Sequence, residues 1–432
     1  VATKTIRQGN TRESSLSLLH KLGGEIYFAQ RRLTWPGKAS VVIAVVAISR
    51  GPSGLTLILD GKRADRINSF MIDAKVEDTP SALASNGGRA FVGSIVSGMG
   101  FTFDDENPAA TPIQRMHEIL DNSPECRPFV KVYVGGQQAN NQPEFRPERY
   151  VINFGAMTSD EASAFPQLWS ILEAKVKPER ASLKRDRYRE IWWQFAEICP
   201  GLYRAIEGNS RVLVANCAAA KYLTFSFLPP GCVYSCTLYV FADPSFAHFS
   251  VIQSRIHEIW ARMFGSSMKD DLRYTGSTCY ENYPFCDSSQ VLEHVGRTYN
   301  DERASVMATL QIGLTKLSNR LNSPDDQSPE ILRLREIHAA MDKAVLGAYG
   351  WTDIVPAYEF SGDYENEDGS AGSVRLNFTE DVRDEILRRL LALHAERLKA
   401  EQAVALTEGV ATQKAKKPKK SKDSPGPDLF NL

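Results

Sequence analysis

The sequence predicts the edge of an α/β sheet, then a mixed α+β unit, then an α-helical C-terminal region. Three observations carry this reading. A continuously apolar run, "ASVVIAVVAI" at 39–48, follows a leucine-striped helix, as expected of a strand buried on both faces. Between 126 and 285 the strand-like runs "RVLVA", "KYLTFSFL" and "CVYSCTLYVFA" alternate with helical ones. From 286 to 405 helix starts dominate: Ser328-Pro329-Glu330 supplies a cap, an N1 proline and a first-turn acid.

Taken in order, "VATKTI" reads as a short strand and "RQGNTRE" as a polar loop. Asn10 or Thr11 would cap a helix carrying Leu16, Leu19 and Leu22 and stopped by Gly23-Gly24. "EIYFAQRRL" and the 39–48 run are strands separated by "TWPGK". "LTLILDGKRADRI" predicts strand, Asp-Gly turn, strand. Residues 61–125 read as a connector with one short helix. In the next unit, "SDEASAFPQLWSILEAKV" is helical with Ser159 or Asp160 as cap, and "PPG" at 229–231 closes a hairpin. "SFAHFSVIQSRIHEIWARMF" predicts one amphipathic helix, with Ile252, Ile256, Ile259, Trp260, Met263 and Phe264 on one face and Gly265 as its C′ stop. Another helix starts at Thr379. Residues 406–432, rich in lysine, predict a disordered basic tail.

Composition narrows the function. A length of 432 residues predicts two to three domains. Hydrophobic content of 43% and charged content of 24% are those of an ordinary globular chain. No apolar run approaches the ~18 residues of a membrane span. The net charge of −1 means that any nucleic-acid surface must be local. The 7 cysteines include no CxxC pair and none with a nearby pair of histidines, which argues against zinc and predicts free thiols in a cytoplasmic setting. The chain opens at Val1 as if inside a strand, so we expect it to be the C-terminal part of a longer protein.

No GxSxG, HExxH or P-loop is present. Gly98 and Gly100 lie in "GSIVSGMGF", which reads as a loop because no strand–turn–helix frames it. The segment "KVKPERASLKRDRYR" (175–189) is more informative, with seven Lys or Arg against two acids and with Tyr188, Trp192 and Trp193 interleaved or adjacent. Such a mixture suits a phosphate backbone beside exposed bases, which makes Lys175, Lys177, Arg180, Lys184 and Arg185 backbone candidates. The alternative is a solvated helix face with the tryptophans in the core. A second signal is Lys269, Asp271 and Arg273. In an extended segment these alternate positions share one side. Lysine or arginine donates to guanine and aspartate accepts from the cytosine amino group. The alternative is a surface salt-bridge ladder.

Many segments in one order, "VATKTIRQGNTRE", "WPGKASVVIAVVAI", "YVINFGAMTSDEASAFPQLWSILEAKVKPER", "WWQFA", "PGLYRAI", "SRIHEIWARMFGSSMKDDLRYT" and "YENYPF", resemble the MmeI-like (Type IIL) DNA adenine methyltransferases of bacterial restriction–modification and phage defence. The resemblance spans roughly 1–405. It implies the end of a Rossmann-like methyltransferase domain at 1–60, the connector at 61–125, a target-recognition domain at 126–285, a helical domain at 286–405 and the tail at 406–432. The family's Asn-Pro-Pro-Tyr/Phe motif and glycine-rich S-adenosylmethionine loop are missing; "NPA" at 107 and "LPP" at 228 stand outside the required context. The resemblance therefore implies the DNA-recognition part of a site-specific adenine-N6 methyltransferase, inactive alone, with S-adenosylmethionine bound mainly upstream and double-stranded DNA as partner.

In that setting a flipped adenine is required. Gln8, Asn10, Arg12 and Trp35 would lie near it. Lys269, Asp271 and Arg273 would read bases, while Arg255 and Arg262 would meet phosphate or support the fold. "GPDLF" at 426–430 resembles a sliding-clamp peptide with Gly426 in place of its first glutamine, which points to a clamp contact through Asp428, Leu429 and Phe430. Two alternatives stay open: a non-catalytic DNA-binding specificity protein, and a structural component of a defence complex.

Overall fold

A computed structural model describes residues 1–35, 42–141, 145–218, 220–268, 271–362 and 374–415. The first sheet holds β1 (Ala2–Thr3), β2 (Gly24–Thr34), β3 (Val42–Arg50), β4 (Leu57–Leu59) and β5 (Lys62–Ala64) in the order β1-β3-β2-β4-β5. Its pairs are antiparallel except β2 with β4. β4 and β5 are joined by Asp60-Gly61 with φ of 48° and 78°. Both central residues are left-handed, as a type I′ hairpin turn requires.

The start of the chain departs from expectation. Only Ala2–Thr3 is strand. Helical turns occupy Lys4–Arg7 and then Gly9–Lys21, so "RQGNTRE" is not a loop. Gly23 does end the run in a left-handed conformation, with φ of 84°. Leu16 is in the core at 1% exposure, but Leu22 is 74% exposed. β3 is not buried on both faces either, since Ile48 is 37% exposed. Burial of both faces needs a second layer, which the described residues do not supply.

Two four-stranded sheets follow. They are built from β6 (Ala90–Val92), β7 (Thr102–Phe103), β8 (Val130–Val134), β9 (Tyr150–Ile152), β10 (Val212–Asn216), β11 (Phe225–Leu228), β12 (Val233–Tyr234) and β13 (Leu238–Phe241). Their orders are β11-β10-β13-β6 and β12-β8-β9-β7. The "PPG" segment is not a hairpin. β11 and β13 both flank β10, and β12 leaves to pair in parallel with β8. The 125/126 boundary is also crossed: β6 pairs with β13 and β7 with β9. Met116 and Ile119, read as connector, share a core with Val151, Leu168 and Trp192.

Helix boundaries show how tertiary contacts override local pattern. Thr158, one residue before the expected cap, forms a capping box with Glu161. The expected single helix at 245–264 is two, Phe246–Gln253 and Arg255–Phe264, broken at Ser254 with ψ of 154°. Ser254 Oγ accepts from the His257 amide at 3.4 Å. The Arg255 amide, released from the helix ladder, donates to Asp342 Oδ1 at 2.9 Å. Gly265 has φ of −68°, so it is no left-handed stop. Its lack of a side chain is needed for a different reason: a Cβ there would lie 2.5 Å from Ala261 O and 2.7 Å from Leu272 Cδ1. Directly after it comes the hairpin of β14 (Ser266–Met268) and β15 (Asp271–Arg273).

The C-terminal region holds the helices Gln290–Leu310, Leu314–Leu321, Pro329–Ala348 and Glu380–Ala415, with a hairpin of β16 (Tyr358–Ser361) and β17 (Arg375–Phe378). The last helix continues through 406–415, the first ten residues of the expected disordered tail, and 416–432 lie outside the described residues. Asp428, Leu429 and Phe430 lie outside the described residues. This helix is pinned to the first sheet. Arg31, 5% exposed, bonds Asp384 at 2.6 and 2.8 Å and also pairs with Asp60. A second buried pair joins Arg255 to Asp342 at 2.6 Å, with Asp342 fully buried. Among the described residues, no helix is long and apolar enough to cross a membrane, and no group of three or more His, Cys, Asp or Glu is placed to hold a metal.

Replacing Asp342 by Ala leaves the Arg255 guanidinium buried without its acid, a change that typically costs about 3–5 kcal/mol; chemical denaturation should show a loss of that size. Acid sensitivity is expected as well. Burial pushes His248 down to about 4 and His257 to about 3. The folded state therefore holds them neutral while the unfolded chain takes up protons near pH 6.5. Their contribution is intact above pH 6.5 and is lost as pH falls towards 4. Urea midpoints across this range should drop, and His257→Gln should flatten the slope.

Candidate nucleic-acid interface

The β14–β15 hairpin is anchored by one residue. Leu272 is 3% exposed and packs in the central core with Tyr274 and Cys279. Its backbone is also held from the far side: Ala220 N donates to Leu272 O at 3.0 Å, and Leu272 N donates to Ala220 O at 2.9 Å. Tyr274 points inward too, its hydroxyl 3.0 Å from His257 Nε2. With 272 and 274 turned to the core, strand alternation turns 271 and 273 outward. Asp271 is half-buried and Arg273 exposed. Lys269 lies outside the described residues.

Around these two residues the chain gathers polar groups. Arg273's charge reaches Cys217, at the end of β10, and Tyr239 on β13. Burial nevertheless dominates at Cys217, whose thiol is pushed up to about 12 and stays protonated. The loop after β8 presses on the end of β10. A Cβ on Gly136 would lie 3.0 Å from the Asn216 side chain, and the Gly136 amide donates to Thr237 Oγ1 at 3.0 Å. Beside them is a concavity of about 370 Å³, floored by Leu272 and Tyr274 and rimmed by Asn140, Asn216, Lys221, Tyr222, Thr315 and Asn319. Lys221 Nζ sits 5.0 Å over the Tyr222 ring. Amides, hydroxyls and a lysine are the groups that address base edges and phosphates. Sequence reasoning missed this rim. The loop after "RVLVAN" was open to notice, but Thr315 and Asn319 come from a helix almost a hundred residues further on.

The basic segment divides. Arg180 is 1% exposed, and its guanidinium donates to Gln194 O at 2.6 Å, Val96 O at 2.8 Å and Ser97 O at 3.0 Å. Burial lowers its pKa. It ties loops together and does not face a phosphate. Lys175 is likewise tethered, its Nζ donating to Ala110 O at 2.5 Å. Lys177 pairs with Glu173 at 2.7 Å. Lys184 and Arg185 are exposed, with Arg185 donating to the Tyr188 hydroxyl at 3.0 Å. Trp192 and Trp193 are core residues at 8 and 9% exposure, so they offer no stacking platform.

The N-terminal candidates form no pocket with these. Arg12 is 2% exposed; it donates to Ser69 Oγ at 2.5 Å and to Thr79 Oγ1, and lies 4.0 Å over Phe70. Its role is to hold the 68–79 segment. Gln8 immediately precedes the turn Gly9–Arg12, and its carbonyl takes the Arg12 amide at 3.1 Å. Asn10 belongs to that same turn. Trp35 is 43% exposed at the end of β2. Arg255 is buried on Asp342. Arg262 bonds Glu258 Oε1 at 2.7 Å and Lys221 O at 2.9 Å, so it supports the rim loop.

Comparison with known proteins places this arrangement. Residues 99–287 match the family described as "MmeI, target recognition domain". The chain is 20% identical over 375 residues to DNA methyltransferase A of Bacillus subtilis (strain 168), which covers 81% of this chain and 39% of that protein. A solved structure of the Type IIL restriction–modification enzyme MmeI in complex with DNA shares the fold with a TM-score of 0.56 at 17% identity, covering 92% of this chain and 49% of that one. The chain thus spans half or less of the length of these proteins. Residues 99–287, which contain the hairpin and most of the polar rim, are the part of this chain that matches the MmeI target recognition domain.

Proposed function

We propose that this chain supplies the DNA-reading surface of a site-specific adenine-N6 methyltransferase of the restriction–modification or phage-defence type. The observation that carries the reading is the outward pair Asp271 and Arg273, fixed by buried Leu272 inside the residues that match a target recognition domain. Double-stranded DNA is the partner. Arg273 would donate to a guanine edge, Asp271 would accept from a cytosine amino group, and Lys184 and Arg185 would meet phosphates.

The methyl donor would be S-adenosylmethionine, and adenine would have to leave the stack to reach it. The described residues do not fit that cofactor. Ligands of open α/β sheets sit beyond the carboxyl ends of parallel strands, in a crevice where the strand order reverses. Among the described residues, the β1–β5 sheet has a single parallel pair, β2 with β4, and no glycine-rich turn leads from a strand into a helix there. No catalytic step is therefore assigned to this chain's own residues.

Selection from a randomised duplex pool tests the reading. A recovered site should change at one base pair in the double variant Lys269→Asp with Asp271→Lys, with about 1–3 kcal/mol of discrimination at that position. Steep salt dependence without any recovered site would sink it. The basic segment makes a separate prediction. Lys184→Ala with Arg185→Ala should leave stability within about 0.5 kcal/mol and lower the salt slope of DNA binding by about one for each phosphate no longer neutralised. Arg180→Ala should instead cost about 1–3 kcal/mol of stability through the carbonyls it leaves buried and unpaired, read by denaturant titration.

A further inference from the structure

The helix Gln290–Leu310 buries a guanidinium that meets no acid among the described residues. Arg303 is 5% exposed. Its Nη1 reaches Gln253 Oε1 at 3.4 Å and its Nη2 reaches Asn300 Oδ1 at 3.4 Å, both at the weak end of hydrogen bonding. Gln253 Oε1 is already engaged by the Phe225 amide at 3.0 Å. The rings of Phe249 and Tyr299 lie 5.2 and 5.6 Å from the guanidinium carbon. Other buried arginines are better met. Arg255 and Arg31 have carboxylates, Arg180 has three carbonyls, and Arg12 has hydroxyls. Burial depresses the pKa of Arg303. A buried cation with only two long bonds to neutral amides is a costly arrangement for a folded protein to keep.

Arg303 lines a cavity of about 210 Å³ between its helix, β11 and the residues Gln138, Ala139 and Phe145. Gln138, Ser226 and Asn300 supply polar groups to it, and Phe145 and Met307 supply apolar wall. The volume is below the ~300–1,000 Å³ of ordinary ligand pockets, so an occupant must be small. Among the described residues, no second cation lines the cavity. A dianion such as phosphate would leave one charge unmet in a half-apolar site, whereas a carboxylate matches both the single charge and the two-pronged geometry of a guanidinium. A duplex phosphate is a poor fit, because the charge lies beneath the surface.

We propose that this cavity binds a small organic monocarboxylate. Its carboxylate pairs with Arg303 and with the amides of Gln138 and Asn300, and its apolar body lies against Phe145 and Met307. The site is distinct from the DNA-reading hairpin and does not depend on the function proposed above.

Calorimetric titration of the protein with benzoate and butyrate tests this, with benzamide and inorganic phosphate as comparators. The expected result is saturable one-to-one binding of at least one carboxylate and about tenfold or weaker binding of neutral benzamide. Binding should be lost in Arg303→Met and weakened but kept in Arg303→Lys, with the wild-type circular dichroism spectrum retained. Should Arg303→Met not fold, Arg303→Lys carries the comparison through its reduced affinity. Absence of binding by both carboxylates, equal binding of benzamide, or affinity unchanged in both variants would overturn the proposal. Phosphate binding more tightly than either carboxylate would overturn the ligand class.

Discussion

The buried ion pair of Arg255 and Asp342 is the constraint on which the position of the β14–β15 hairpin depends. Arg255 starts the helix that ends at Phe264, one residue before Gly265 and the hairpin. Its backbone and side chain are both engaged by Asp342, at 2.9 and 2.6 Å, and its Nε donates to Leu376 O at 2.8 Å. The Tyr358 hydroxyl adds a bond to Asp342 at 3.3 Å. Three elements of the C-terminal region, the helix Pro329–Ala348 and the strands β16 and β17, thus converge on the first residue of one helix. A pair of this kind gains little over apolar residues of equal volume, because desolvating two charges offsets their attraction. What it does supply is a single orientation. The other face of the helix is fixed by Trp260 Nε1 on Asn282 at 2.9 Å and by His257 on Tyr274 at 3.0 Å. Recognition of base edges tolerates displacement of only about 0.5 Å, so a hairpin on a doubly fixed helix suits that task better than one on a free loop.

This arrangement also explains which parts of the fold were legible in the sequence. The Asp60-Gly61 hairpin was legible because two left-handed residues leave few alternatives, and Ser328-Pro329 because a helix start is a local event. The break at Ser254 was not. The acid that captures the Arg255 amide lies 87 residues away along the chain, and the apolar stripe runs through the break without interruption. The "PPG" hairpin failed for the same reason: β10 displaced the neighbouring segment as partner of β11, which no local pattern encodes. Arg180 is a different case. It continues the stripe Leu168, Leu172, Val176 at four-residue spacing, all buried. That periodicity separates it from exposed Lys184 and Arg185 on sequence alone, had burial been weighed ahead of charge. The polar rim was the least legible part of the candidate site, since it is assembled from a loop near 220 and helices near 140 and 317.

Of the three alternating charges, the described residues include Asp271 and Arg273, while Lys269 lies outside them. A salt-bridge ladder requires neighbours of opposite sign within about 4 Å. Asp271 and Arg273 are two residues apart on one strand, on the order of 7 Å at ~3.3 Å per residue. The cross-strand partners are Met268 for Asp271 and Ser266 for Arg273, neither of them charged. Among the described residues neither Asp271 nor Arg273 has an ion-pair partner. Most other charged residues near this surface are committed: Arg262 to Glu258, Arg255 to Asp342, Arg375 to Lys221 O. A strand that buries Leu272 and Tyr274 while leaving an acid and a base outward and unpaired keeps two complementary hydrogen-bonding groups at a fixed spacing. On a duplex, water is displaced, and an unmatched acceptor or donor then costs more than a matched one gains. If the hairpin reads base pairs as proposed, discrimination between them would come mainly from the penalty on the wrong one. That penalty depends on Asp271 and Arg273 having no ion-pair partner, as holds among the described residues, and would be lost if either were engaged in a ladder.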